Sequence, residues 1–345
     1  MTRRIFPSTG LLLLVIAIGL SGVGATEVEQ PPSTNRTSRT PDGSKLVAQA
    51  AVSPAAQPGP RTPDPNDGKL RIIIFGAHPD DAEYKCGGVA AKWAALGHHV
   101  KLVSVTNGDI GHWNMAGGPL AQRRTREVKA AAKHLGTTAE VLDIHDGELL
   151  PTLENRRQIT RVIREWQADI VIAHRPWDYH PDHRYVGVLV QDAAFMVTVP
   201  FFLPDVPALK KNPVFLFSSD GFQRPYPFKP DVAVALDDVF DQKIDAINEL
   251  VSQAYEGGAG GSEEYVANSV PPAGDPQARR VWLKERWAQR QSGEANRYRD
   301  LLIHWYGEER GKAVKYAEAF EICEYGRRPT PAELRVLFPF FGDAK

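Results

Sequence analysis

From Lys69 onward, short apolar runs alternate with helix-like stretches, and that alternation leaves few folds open. After Arg71, residues 72–75 form a continuous apolar run, the pattern of a strand buried on both faces. Residues 89–96 read as a helix closed by Gly97, and residues 99–105 as a second strand followed by the turn Asn107-Gly108-Asp109. A helix over 120–135, again closed by a glycine, leads to a short strand at 140–142. A helix at 155–166, a fourth strand at 169–173 and a helix at 183–196 complete the series. Such alternation implies βαβ units: an α/β fold with a mostly parallel sheet and helices on both faces. Beyond this the pattern loosens. Strands are expected at 214–217 and 232–236, helices at 238–255 and 279–300, and a mobile loop or hinge in the glycine-rich stretch 257–262. No internal repeat is present.

Composition excludes some classes. Of 345 residues, 42% are hydrophobic and 24% charged, which a fully disordered chain would not have. Lys plus Arg number 41 against 42 Asp plus Glu, so no global basic field exists to hold a nucleic acid. Two cysteines, Cys86 and Cys323, make neither a disulfide framework nor a Cys-rich zinc module; one bond or two buried thiols are the alternatives. Residues 1–25 read as a secretory signal peptide, with Arg3 and Arg4 ahead of the apolar run 11–20 and small residues at Val23-Gly24-Ala25. The run is too short to span a bilayer comfortably, so the mature chain is expected to carry no membrane span and to work outside the cytoplasm, secreted or in the periplasm or cell envelope. An uncleaved anchor is the alternative. Residues 26–68 read as a disordered linker rich in Pro, Ser and Thr, and residues 69–345 as one catalytic domain with a C-terminal helical extension.

Two clusters carry the chemistry. The first strand runs out into Gly76-Ala77-His78-Pro79-Asp80-Asp81, and the fourth is followed by Trp177-Asp178-Tyr179-His180-Pro181-Asp182-His183. Ligands of open α/β sheets bind beyond the carboxyl ends of the strands, at the point where strand order reverses. If strands one and four are neighbours there, imidazoles and carboxylates converge in one crevice. Two imidazoles and one carboxylate are a common catalytic zinc set with a position left for water. Of the adjacent acids, one can bind metal while the other acts as general base on the water. His180 and His183, three apart at a helix start, share a face, so one can ligate while the other donates a proton. Taken singly, each cluster has a plainer reading: Asp-Asp as a helix N-cap with a first-turn acid, His-Pro-Asp-His as a solvated turn. Their joint placement favours a metal site.

The segments Ala77-His78-Pro79-Asp80-Asp81-Ala82-Glu83, Cys86-Gly87-Gly88 and Asp178-Tyr179-His180-Pro181-Asp182-His183 resemble the signature of the LmbE-like, or PIG-L-type, N-deacetylases. The likeness runs closely over 72–199 and more faintly to 253. It implies a Rossmann-like fold and zinc-dependent removal of acetyl groups from N-acetylglucosamine units, with iron(II) as an alternative ion. It also implies His78, Asp81 and His183 as metal ligands, Asp80 as the base that activates water, and His180 as the group that holds the oxyanion and protonates the leaving amine. We assign Asp182 the orientation of an imidazole. Lys85 stands where the family usually has a small residue, which places a cation at the mouth. Leu250 stands where relatives often carry a His before Ser252-Gln253.

Arg124 reads as a substrate-binding residue, or else as a surface partner of Glu127. His112, with Trp113, reads as a sugar platform lining the crevice, or as ordinary loop packing. The resulting expectation is an exported metal-dependent hydrolase acting on a small molecule or glycoconjugate that bears an N-acetyl group. An amidase of the same fold acting on a non-sugar amide or thiol conjugate, and an inactive envelope carbohydrate-binding protein, are the alternatives.

Overall fold

A computed structural model describes residues 67–341. The segment read as a signal peptide, and all of the linker except its last two residues, lie outside them. Seven strands form one sheet: β1 (Arg71–Gly76), β2 (His99–Ser104), β3 (Thr138–Val141), β4 (Ile170–Ala173), β5 (Val214–Ser218), β6 (Val232–Ala235) and β7 (Ala317–Gly326). Their spatial order is β3-β2-β1-β4-β5-β7-β6. β1 to β5 run parallel, and β7 lies antiparallel between β5 and β6. All six residues of β1 are buried, which is why its sequence after Arg71 is continuously apolar rather than alternating. β1 pairs with β2 on one side and with β4 on the other, Ile72 facing Val100 and Ile170. Strand order therefore reverses between β1 and β4, and the expected neighbour relation holds.

The helices are α1 (Asp81–Ala95), α2 (Gly117–Leu135), α3 (Leu153–Trp166), α4 (Pro181–Met196), α5 (Phe240–Asn248), α6 (Val251–Ala254), α7 (Glu263–Ser269), α8 (Pro276–Arg297), α9 (Arg299–Tyr306), α10 (Glu308–Ala313) and α11 (Pro331–Leu337). α1 packs with α2 and α5 and α3 with α4, while α8 rests on α5 and β7. No helix of the described residues is long and apolar enough to cross a membrane. Cys86 and Cys323 are buried free thiols.

Three elements differ from the sequence expectation. α1 starts at Asp81, not near residue 89, although Gly87 and Gly88 weaken its middle. Packing requires that gap: a Cβ on Gly88 would sit 2.6 Å from Leu236 Cδ2. Glu318 of β7 reaches into the same gap and accepts hydrogen bonds from the Gly88 and Val89 amides at 2.9 and 2.8 Å. The helix expected over 238–255 is broken into α5 and α6 at Leu250, whose ψ of 54° is not helical. The C-terminal region, expected to be helical, contains the long strand β7. Its buried face includes Glu318, an ion-pair partner of Lys243 at 2.7 Å, so the apolar alternation that marks a strand is interrupted.

Candidate metal centre

β1 ends in a turn that doubles back onto its own tip. Gly76 is required there, because a Cβ would stand 2.6 Å from Asp81 Cβ. The Asp81 carboxylate folds under the strand end and accepts the Ala77 and His78 amides at 3.0 and 2.8 Å through Oδ2. From the neighbouring β4, the chain passes through residues 174–180 into α4, where His180 is the N-cap and Pro181 the first helical residue. His183 then projects from the first turn of α4 toward His78.

Three donor atoms meet. His78 Nδ1 is 3.3 Å from Asp81 Oδ2 and 3.2 Å from His183 Nε2, and His183 Nε2 is 3.3 Å from Asp81 Oδ2. Tetrahedral coordination with bonds of about 2.0–2.1 Å sets donors about 3.3–3.4 Å apart, so the triangle has the size such an ion requires. A two-His, one-carboxylate set suits zinc and iron(II) alike.

Each imidazole is held from behind by carboxylates. His78 Nε2 lies 3.2 Å from Asp182 Oδ2 and 3.1 Å from Asp146 Oδ1, and His183 Nδ1 lies 3.0 Å from Asp178 Oδ1. An ionised carboxylate only accepts, so the proton sits on those nitrogens and the lone pairs of His78 Nδ1 and His183 Nε2 face each other and Asp81. Asp182 is itself fixed by the Gly147 and Leu149 amides at 2.7 and 3.3 Å. Burial alone would lower the affinity of His78 for a proton, but Asp146, Asp182 and Asp81 raise its pKa well above the ordinary value. Burial is likewise outweighed at His183, which Asp81 and Asp178 raise to about 9. The Asp81 carboxyl is held well below the usual range against its burial, chiefly by His183 and His174. The pocket thus stabilises positive charge at its centre, as a cation site does.

Asp80 and His180 flank the triangle. Burial pushes the Asp80 carboxyl up to about 6, with Arg124 opposing the rise and Asp81 adding to it. His180 Nδ1 accepts the Asp182 amide at 3.2 Å, which leaves the ring proton on Nε2. Burial and the neighbouring His78 and His183 lower its pKa. The centre opens into a cleft of ≈ 930 Å³ walled by α1, α8 and the 257–260 segment.

Of the two expected substrate contacts, Arg124 lines the cleft although it is only 2% exposed. It donates to Gly108 O and Pro79 O at 3.2 Å each and lies 3.5 Å from Asp80, so it also braces the acid. His112 is absent from the cleft wall. It meets Glu256 Oε2 at 2.9 Å, and Glu256 in turn holds Arg123 through two bonds of 2.8 Å. That network anchors the loop carrying Trp113, whose amide donates to Gly258 O at 2.9 Å. The aromatic wall is instead made by Tyr179, 72% exposed, and Phe222, ring centroids 6.2 Å apart.

Sequence reasoning missed His174, Asp146 and Asp178 as parts of this centre. His174 stacks on His183 at 4.2 Å and approaches Asp81 Oδ2 at 3.5 Å. It forms an alternative donor set with those two. The Ala77 amide, which donates to Asp81 at 3.0 Å, also approaches His174 Nε2 at 3.3 Å. Asp178 stood inside a quoted motif and Asp146 did not, and which imidazole each faces depends on loops converging from separate strands.

Residues 73–194 match the family described as PIG-L: GlcNAc-PI de-N-acetylase. A diacetylchitobiose deacetylase of Thermococcus kodakarensis is 33% identical over 197 residues, spanning 55% of this chain and 72% of that protein. A 4-oxalmesaconate hydratase of Pseudomonas putida is 25% identical over 198 residues, spanning 55% and 76%. Among solved structures, an N,N'-diacetylchitobiose deacetylase from Pyrococcus horikoshii superposes with a TM-score of 0.56 at 24% identity, covering 76% of this chain and 87% of that one, and it has the same fold. Motifs, fold and relatives agree: the chain belongs to the PIG-L, or LmbE-like, deacetylase family.

Proposed function

We propose that this protein is an exported, zinc-dependent hydrolase that removes the acetyl group from an N-acetylglucosamine-type substrate. The observation that carries the reading is the His78–Asp81–His183 triangle with a free acid and a free imidazole beside it. A divalent ion held there supplies Lewis-acid polarisation of the acetyl carbonyl and acidifies water. Asp80 takes the proton from the attacking water, and its pKa of about 6 leaves it ionised and ready near neutral pH. Arg124 keeps that carboxylate aimed into the cleft. His180 presents Nε2–H to the developing oxyanion, and the proton that Asp80 took from the water is handed on to the departing nitrogen, yielding acetate and a free amine. Asp182, Asp146 and Asp178 hold the two ligand imidazoles in the tautomer that binding needs. Tyr179 and Phe222 offer ring faces to a sugar.

The deciding experiment measures acetate release from N-acetylglucosamine derivatives. Asp80→Asn should lower turnover by about 10²–10⁴-fold while metal content stays full. A wild type no faster than this variant on any substrate overturns the reading. Likeness to a hydratase gives a second reading in which the same activated water adds to a carbon–carbon double bond. Loss of a conjugated substrate's absorbance without acetate release would select it. Export, which rests on residues 1–25, is tested by fractionating cells: an intact chain confined to the cytoplasm contradicts it.

A further inference from the structure

We infer that the cleft contains an oxyanion subsite, formed by Lys85 from α1 and Arg290 from α8, which takes a carboxylate or phosphate group carried by the acetamido substrate. The inference rests on the hydrolase reading above and names the substrate class that reading leaves open.

Both cations line the cleft that opens from the metal centre. Lys85 Nζ donates to Ser219 O at 2.7 Å and, among the described residues, makes no ion pair within 4 Å, so donors of the ammonium remain for a ligand. Arg290 of α8 is exposed, its guanidinium stacked 5.0 Å above the Trp287 ring. Among the described residues it has neither a hydrogen bond nor an ion pair, so its planar fork is free for bidentate contact. Four acids of the cleft have other partners. Asp220 is held by Arg175 at 2.7 and 2.6 Å, Asp178 by His183, and Glu318 by Lys243. Glu294 faces Arg297 at 3.9 Å. Burial and then Arg290 lower the pKa of Lys85, while Asp178, Asp81 and Asp220 oppose the shift. An oxyanion between the two cations removes their repulsion.

Position fixes what the anion belongs to. Lys85 follows Asp81 by four residues on α1, so it lies on the same helix face, one turn from the metal centre. A substrate whose acetamide meets Asp80 and His180 would present a ring substituent to Lys85 and Arg290. Neutral amino sugars leave the subsite unfilled, whereas sugars bearing a phosphate or a carboxylate fill it.

The test compares acetate release from N-acetylglucosamine, its 6-phosphate and the carboxylate-bearing N-acetylmuramic acid, which separates the two sources of charge. The wild type should favour at least one charged substrate by about tenfold in kcat/KM, and Arg290→Gln or Lys85→Met should erase that ratio while Arg290→Lys restores part of it. No preference in the wild type, or an unchanged ratio in the variants, overturns the subsite. Glucose 6-phosphate, which has no amide, reads the same site by calorimetry without turnover. Binding weakened about tenfold by Arg290→Gln supports it, and equal binding overturns it. Failure of the hydrolase reading shows separately, as no acetate from any of the three.

Discussion

Each ligand imidazole depends on an acid behind it, and the dependence has a measurable size. Asp178 meets His183 Nδ1 at 3.0 Å, so Asp178→Ala removes the acceptor that fixes the tautomer. Metal affinity should fall by about 10–100-fold in competition with a chromophoric chelator. Unchanged affinity would mean that His183 is oriented by other means. The residues of this centre were partly legible in the sequence. His78, Asp80, Asp81, His180 and His183 occur in two short motifs, and the tight turn at Gly76 and the helix start at Pro181 set their spacing locally. Asp182 faces His78, the kind of contact assigned to it from the motif. His174 was not legible, because a lone histidine after a strand has no local mark that separates a core residue from a neighbour of Asp81.

At the level of elements, α1 is held by a glycine and by a buried ion pair from distant strands and helices. Gly88→Ala drives a methyl group toward Leu236 and Glu318, and should cost about 1–3 kcal/mol in denaturant unfolding. A variant as stable as the wild type would show that Leu236 simply rotates away. The loop beside the cleft depends on charge. Burial raises the pKa of Glu256, but Arg123 and His112 bring it below the ordinary value. A depressed acid contributes stability above its unfolded pKa and loses it as pH falls through the folded value. The stability advantage of the wild type over Glu256→Gln, about 1 kcal/mol near neutrality, should therefore shrink on acidification from about pH 5 to about pH 3. Thermal melts across that range check the sign, and a gap that widens on acidification refutes it. Helix α1 shows why element boundaries were missed: Gly87-Gly88 reads as a break on propensity, whereas close packing against Leu236 makes those glycines part of the helix.

For the molecule as a whole, β7 is the keystone of the second half of the sheet. It separates β5 from β6 and supplies the partner for both. A chain ended at residue 313 leaves both strands with unpaired edges and Lys243 buried without Glu318. It should fail to give a cooperative thermal transition, and a folded product of normal stability would contradict the topology. The first half of the sheet was readable because parallel strands buried on both faces have continuous apolar runs, and short connections make chain order a guide to spatial order. On its own, the sequence determined the alternating α/β architecture, the two motifs and the crevice at their strand ends, since these rest on local patterns and on the handed packing of βαβ units. Only the tertiary structure decided that β7 inserts between β5 and β6, that Arg124 turns inward to Asp80, that His112 leaves the cleft, and that Lys85 shares it with Arg290. Those outcomes depend on which distant groups compete for one buried charge or one free edge, and no local pattern of residues encodes that competition.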